Sequence, residues 1–388
     1  MRRYFLYSHD GQGLGHARRH LAIARALVTS DPRAAVLIAT GVEELPQPGL
    51  PPHVELLRLP ALRKVANERY ESRRLPLNAR ETRAMRSSLL LTAVKSFRPH
   101  VVLADKHPFG ASGEFRHALA ASRRLGARAA LGLRDILDDP ATVRREWRPH
   151  GLPDAITDHY DELFIYGQRE VFDAPKLYGF PAALAARTSF VGYVINAPTA
   201  STTPAGARPL VVASTGGGED GLHLLQAFLR AAVDAPWRAL AVTGPHCPDE
   251  HNVQLAALAA EAGAEFHTFM PGLEHRLAAA SACVCMGGYN TLGETIAAGV
   301  PIVCVPRVVP RLEQFIRARA FAALGLLRMI PPDALTPERL GAAITASLST
   351  PASPVRLDFR GAAETARRLR ALADQARAGV PEALLATA

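Results

Sequence analysis

The chain is poor in cysteine and aromatic rings, and it has no long apolar run. Its four cysteines in 388 residues, Cys247, Cys283, Cys285 and Cys304, make no CxxC pair. That excludes a disulfide-stapled scaffold and a structural zinc site. Cys283 and Cys285 alternate within an apolar stretch and read as reduced, buried strand residues. No stretch reaches the roughly 18–20 consecutive apolar residues of a membrane span, and even the run around Ala278–Met286 is short. The opening MRRYFLYSHDG offers two arginines but too small an apolar core for a signal peptide, so the expected location is cytoplasmic.

Apolar residues make up 48% and charged residues 21% of the sequence, the balance of an ordinary globular protein. A chain of 388 residues exceeds what one hydrophobic core comfortably serves, so two domains of about 190 residues are expected. The formal charge is +9, which raises nucleic acid, anionic lipid or a phosphorylated substrate as partners. Its distribution narrows the choice. Residues 1–195 hold 29 basic and 20 acidic side chains, while residues 196–388 hold 16 of each. Within the first half, Arg58–Arg98 alone carries 11 basic and 3 acidic residues. This segment reads either as a solvated helical hairpin or as a surface for an anionic acceptor, a partner or the headgroups of a membrane. Its aromatic residues are only Tyr70 and Phe97, so the stacking platforms of a nucleic-acid binder are missing.

Short β-branched or aromatic runs alternate with Ala/Leu/Arg-rich helical stretches, the signature of βαβ units and parallel sheets. Strands are expected at Tyr4–Ser8, Ala34–Thr40, Val54–Leu59, His100–Asp105, Arg128–Leu133, Glu162–Tyr166 and Ser189–Val194. The second half restarts at Leu210–Ser214, Ala239–Thr243, Glu265–Phe269, Ala282–Met286, Ile302–Val305 and Leu327–Ile330. Between the halves, Asn196–Pro209 has no large apolar residue and reads as a linker. The expectation is an α/β chain of two doubly wound, Rossmann-like domains, 1–195 and 210–355, with a cleft between them. A helical tail over 356–388 is not placed by the sequence.

Three motifs carry chemistry. Gly11-Gln12-Gly13-Leu14-Gly15-His16 follows the first strand and opens a helix. Its glycines let backbone approach a ligand, and a dinucleotide fingerprint would need a third glycine where His16 stands. A histidine in the first turn of a helix is kept neutral by the dipole, so His16 reads as a general base, against a capping or packing role. Ser214-Thr215-Gly216-Gly217-Gly218-Glu219-Asp220 lies at the first strand–helix turn of the second domain. It can cradle a diphosphate on backbone N–H groups or serve only as a flexible connection. Met286–Pro306, followed by RVVPRLEQ, reads as a strand, a glycine turn and a helix capped by Asn290 or Thr291, with Glu294 one turn in. That carboxylate can hold a ribose diol or merely answer the helix dipole. Asp105 and Asp135 end strands where ligands sit in open α/β sheets, so each is a candidate to bind acceptor or orient His16, or to make a turn or salt bridge. His246, His251 and His275 lack metal-ligand spacing.

Residues 264–320 and the two glycine loops resemble GT-B glycosyltransferases. They are most similar to glycosyltransferase family 28, which includes the N-acetylglucosaminyltransferase that forms lipid II, and more distantly to UDP-glycosyltransferases. The resemblance implies a nucleotide-sugar donor as co-substrate, with no metal or other cofactor, and a small-molecule or lipid-linked acceptor. It implies that Glu294 holds the ribose within a turn that includes Gly288, Asn290 and Thr291. Glu313 and Gln314 would contact the donor sugar, Phe269 and Met270 the base, and Gly216, Gly217 and Gly218 the diphosphate. Gly13, Gly15 and His16 match the family's N-terminal loop. Retaining relatives carry a second glutamate eight positions before the ribose glutamate, where Met286 stands here, which favours inversion. The form Gly13-Leu14-Gly15-His16-Ala17-Arg18-Arg19 also resembles a nucleotide-sugar hydrolase of the same fold. The leading expectation is therefore an inverting, metal-independent glycosyltransferase, with a hydrolase or epimerase as the alternative and a nucleic-acid-binding protein as a remote second.

Overall fold

The structure, a computed structural model, describes residues 1–9, 15–42, 49–66, 69–196, 208–350 and 353–378. Gly13 and nearly all of the expected linker lie outside the described residues. In the first half the strands are β1 (Arg2–Tyr7), β2 (Ala34–Thr40), β3 (Val54–Arg58), β4 (Leu62–Ala66), β5 (Arg69–Ser72), β6 (Val101–Asp105), β7 (Arg128–Arg134), β8 (Glu162–Tyr166) and β9 (Thr188–Phe190). The second half contributes β10 (Leu210–Ser214), β11 (Arg238–Val242), β12 (Glu265–His267), β13 (Ala282–Cys285), β14 (Ile302–Cys304) and β15 (Arg328–Met329).

The chain divides into two compact units, Met1–Ile195 with the segment from Arg360, and Asn196–Phe359. The first unit holds a parallel sheet in the order β3-β2-β1-β6-β7-β8-β9, and the second a parallel sheet in the order β12-β11-β10-β13-β14-β15. Both are doubly wound, as the alternation of runs predicts. Central strands such as VVLAD of β6 and ACVC of β13 are buried along their whole length, because helices cover both faces of a parallel sheet. In the second unit the core gathers Phe228, Trp237, Leu255, Val284 and Ile344 around the sheet.

One expectation fails. The basic segment is no helical hairpin: β4 and β5 form an antiparallel ribbon, and a single helix follows over Ala79–Phe97. Arg63 and Glu71 stand directly opposite across the ribbon and pair at 3.0 Å, a cross-strand contact that a helix would not make. The helix starts only where Asn78 and Glu81 complete a capping box.

The C-terminal helix Gly361–Ala378 packs on the first unit beside the helix Gly15–Ser30, burying Leu369, Leu372 and Ala373. Arg2 reaches Asp374 at 2.8 Å and Arg368 reaches Glu162 at 3.3 Å. Its first residue must be small: a Cβ on Gly361 would meet Tyr193 carbonyl oxygen at 2.6 Å. Among the described residues no helix is long and apolar enough to cross a membrane.

Beneath the ribbon lies a fully buried cation. Arg86 holds Glu114 with two bonds of 2.6 Å, Tyr7 hydroxyl donates to the same carboxylate at 2.6 Å, and Arg86 also donates to Pro60 carbonyl at 2.5 Å. Burial would lower the Arg86 pKa, but the bonds to Glu114 raise it on balance, so the group stays charged. Removing one partner strands the other charge, at a cost of about 3–5 kcal/mol. Urea denaturation should therefore show Glu114→Leu losing that much stability in the first unit, and Arg86→Met with Glu114→Leu losing clearly less; equal losses would remove the ion pair as the reason.

Candidate functional site

In each unit the sheet order reverses beside its first strand, the switch point at whose carboxyl ends open α/β sheets bind ligands. In the first unit the flanking strands are β1 and β6. The segment after β1 brings His9 and His16, and β6 ends on Asp105 followed by Lys106 and His107. His16 Nδ1 lies 3.2 Å from Asp105 Oδ2. Arg19, one helical turn beyond His16, donates to the same Oδ2 from Nε at 3.1 Å and Nη2 at 2.9 Å, and its Nη2 is 2.7 Å from His16 Nδ1. His9 packs edge-on against His107 with ring centroids 4.3 Å apart, against His16 at 5.3 Å, and against Tyr70 of β5 at 6.0 Å. The basic ribbon thus lies beside the histidine cluster.

Burial dominates the protonation of these groups. It pushes His16 down to about 4 despite the opposing pull of Asp105, and His20 likewise to about 4. His9 is lowered well below 6.5 by burial and then by its histidine neighbours. Burial alone would raise Asp105, but Arg19 and then His16 hold it well below the usual carboxylate range. At neutral pH His9, His16 and His20 are therefore neutral, beside the fixed charges of Asp105, Arg19 and Lys106. His16 Nδ1 can donate to Asp105, which frees the Nε2 lone pair, or accept from Arg19, which puts the proton on Nε2.

Of the expected site residues here, Asp105 stands against His16. Asp135 ends up beyond the next strand, where its Oδ1 accepts Ile136 N–H at 2.8 Å, a local turn bond. Gly15 opens the helix that carries His16. His9 and Arg19 complete the cluster. Arg19 was legible as the residue one turn after His16, and His9 as a polar residue closing an apolar strand.

In the second unit the switch point lies between β10 and β13. The loop after β10 is shaped by Gly216 and Gly218, at φ +71° and +95°. A Cβ on Gly218 would meet Thr243 carbonyl oxygen at 2.8 Å and Gly244 carbonyl oxygen at 2.9 Å, so only glycine closes this turn. Gly217 carbonyl accepts His246 N–H at 2.8 Å. The helix Leu222–Ala232 follows with no side chain on its first N–H groups, a donor-rich end suited to a diphosphate.

After β13, Gly287 is left-handed at φ +87° and Gly288 is extended, so the next helix starts at Tyr289 with Gly288 as its cap. Asn290 and Thr291 therefore do not cap it; they lie inside its first turn. Glu294 sits beyond that turn and is buried, so a response to the helix dipole does not account for its carboxylate. Arg317, buried on the helix Glu313–Ala323, donates to Gly287 carbonyl at 3.0 Å and braces the turn from below. Arg307 links the loops: it donates to Asp220 at 3.0 Å and to Glu313 at 3.3 Å. Gln314, with its amide nitrogen on Met286 carbonyl, accepts from Arg307 at 3.3 Å. Glu313 is buried, and its Oε2 has no hydrogen-bond partner. Phe269, past the end of β12, is 52% exposed, an apolar plate at the rim, with Met270 beside it. The expected donor residues converge around one end of this sheet; Arg307 was not singled out, although it directly follows the proline that closes β14.

Among solved structures, the chain matches MurG of Acinetobacter baumannii at a TM-score of 0.56, covering 97% of this chain and 100% of that one at 15% identity. It matches a UDP-glucosyltransferase from Polygonum tinctorium at 0.60, covering 98% and 95% at 13% identity. The architecture is thus that of GT-B glycosyltransferases, as the sequence resemblance implied. Residues 215–370 match the family described as Glycosyltransferase family 28 C-terminal domain. Over 128 residues the chain is 32% identical to the UDP-N-acetylglucosamine–N-acetylmuramyl-(pentapeptide) pyrophosphoryl-undecaprenol N-acetylglucosamine transferase of Saccharopolyspora erythraea, covering 32% of this chain and 33% of that protein. Over 214 residues it is 28% identical to a PGL/p-HBAD biosynthesis glycosyltransferase of Mycobacterium tuberculosis, covering 52% and 45%. The match spans less than half the length of either relative.

The desolvated imidazoles of His16 and His20 set an acid limit. Unfolded histidine titrates near 6.5, whereas folded His16 and His20 titrate near 4, so between those values the unfolded chain binds protons that the folded chain does not. Their contribution is whole above pH 6.5 and declines toward pH 4; Asp105 extends the loss below about 3.8. Urea midpoints of the first unit should fall steadily from pH 6.5 to 4, and a flat profile there would contradict the burial of these rings.

Proposed function

We propose that this protein is an inverting, metal-independent glycosyltransferase that moves a sugar from a nucleoside-diphosphate sugar, a UDP-sugar, to an acceptor hydroxyl. The observation that carries the reading is a neutral, partly buried histidine held by a carboxylate in one unit of a GT-B fold whose other unit matches family 28. The second unit takes the donor: Gly216–Gly218 N–H groups and the start of Leu222–Ala232 face the diphosphate, Glu294 the ribose diol, Phe269 and Met270 the base, and Glu313 with Gln314 the sugar. The first unit takes the acceptor.

In the reacting tautomer His16 Nδ1–H is given to Asp105, and Nε2 receives the acceptor proton as the acceptor oxygen bonds to the anomeric carbon. The bond from that carbon to the diphosphate oxygen breaks, and the nucleoside diphosphate leaves with the electron pair. One displacement inverts the anomeric centre. Base catalysis of this kind contributes about 100- to 10,000-fold. The charge developing on the leaving group is met by fixed N–H dipoles, which supply the stabilisation without a metal. In this reading Asp135 and His107 belong to the acceptor side. The reading includes a cytoplasmic location, with Arg58–Arg98 facing an anionic acceptor or lipid headgroups, and no nucleic-acid partner.

His16→Ala should leave UDP binding intact while turnover falls at least 100-fold; near-wild-type turnover would dismiss His16 as the base. Rapid UDP release from UDP-sugars without acceptor would favour a hydrolase instead. In thermal denaturation, UDP at 100 times its dissociation constant should add about 2.7 kcal/mol, and Glu294→Ala should need far more UDP for the same shift. Indifference of the wild type to every nucleoside diphosphate would refute the donor site.

A further inference from the structure

A second imidazole accompanies Asp105, and the reaction above does not use it. His20 follows His16 by one turn of the helix Gly15–Ser30 and is fully buried, and neither of its ring nitrogens has a hydrogen-bond partner. Asp105 is equally buried and engages only one of its oxygens: Oδ2 receives Arg19 and faces His16, while Oδ1 is enclosed without a partner. His20 and Asp105 act on each other electrostatically, and Arg19 is the other charged group that acts on His20. An enclosed carboxylate oxygen and an enclosed ring N–H, both unbonded within reach of each other's field, call for an account, since buried polar groups in folded proteins are almost always paired.

We propose that His20 is a positioning residue for the base: it donates a ring N–H to Asp105 Oδ1, by a small turn of its side chain or through one enclosed water, and so holds Oδ2 toward His16 Nδ1. The proposal rests on His16 being the base. Its logic is tautomer selection. Arg19 competes for both Oδ2 and Nδ1. A carboxylate free to rotate would settle on Arg19 and leave Nδ1 as an acceptor, with the proton on Nε2, where the base must be empty. A donor on Oδ1 fixes the rotation and keeps the productive tautomer, as outer partners of catalytic imidazoles do elsewhere.

His20→Phe keeps the bulk of the ring and removes both nitrogens. It should lower kcat about ten-fold or more, with KM for donor and acceptor unchanged and the acid limb of the pH profile displaced. His20→Asn and His20→Gln return an amide N–H near Nδ1 and Nε2 respectively, and one of them should recover most of the rate. A folded His20→Phe protein with wild-type kcat and pH profile overturns the proposal. Nitrogen-15 NMR of the intact wild-type protein gives a reading that needs no folded His20 variant. His20 should be a single neutral tautomer whose ring N–H resonance moves in Asp105→Asn; averaged tautomers indifferent to that change overturn the proposal. The two readings fail separately, because unimpaired turnover by His16→Ala would remove the base while leaving the His20–Asp105 signal to be judged on its own.

Discussion

Each sheet is built outward from its first strand in both directions, and the rest of the molecule depends on that parting. β1 pairs with β2 on one side and β6 on the other, and β10 pairs with β11 and β13 in the same way. Parallel pairing forces every crossover to return over a face of the sheet, so the loops that leave the two central strands must diverge. Residues far apart in sequence are delivered to one edge as a result. His16 meets Asp105 across 89 positions, and Asp220 meets Arg307 across 87. No side chain had to create these meetings; side chains only had to be polar where the backbone left room.

The two units pair their buried charges differently. The first buries whole charges and answers each with another: Arg86 with Glu114, and Arg19 with Asp105. Such pairs are costly to desolvate, and they hold orientation more than they add stability. The second unit also buries Glu294, Glu313 and Arg317, but Arg317 is set against the backbone carbonyl of Gly287, and the partly exposed Arg307 is shared among Asp220, Glu313 and Gln314. A site made of N–H groups presents positive potential without a net charge, in keeping with the even balance of acidic and basic residues in the second half of the sequence.

Much of this was legible in the sequence because it depends on local pattern. The strands follow from short β-branched runs, and the two glycine turns from residues that only a left-handed or closely packed backbone requires, Gly218 most clearly. The ribbon β4–β5 was not legible, because Leu62–Ser72 carries as many charges as a solvated helix would and only the Arg63–Glu71 register reveals the pairing. The cap of the helix Tyr289–Ala297 was misplaced for a related reason: Asn290 and Thr291 are good caps by type, but the two preceding glycines start the helix before them. His20 shows the third limit. A histidine on the apolar face of a helix reads as packing, and only burial beside a half-used carboxylate marks it as something else.

The docking of Gly361–Ala378 gives the order of synthesis a meaning. The first unit is built from residues 1–195 and completed by a helix that emerges only after the whole second unit has been made. While the ribosome finishes residues 196–359, the helix Gly15–Ser30 waits with its outer flank uncovered, carrying His16, Arg19 and His20 with it. The second unit, contiguous in the chain, can close as soon as it is exposed. The second unit is therefore the part able to mature first on the ribosome, and the unit that holds His16 reaches its final packing only with the helix Gly361–Ala378.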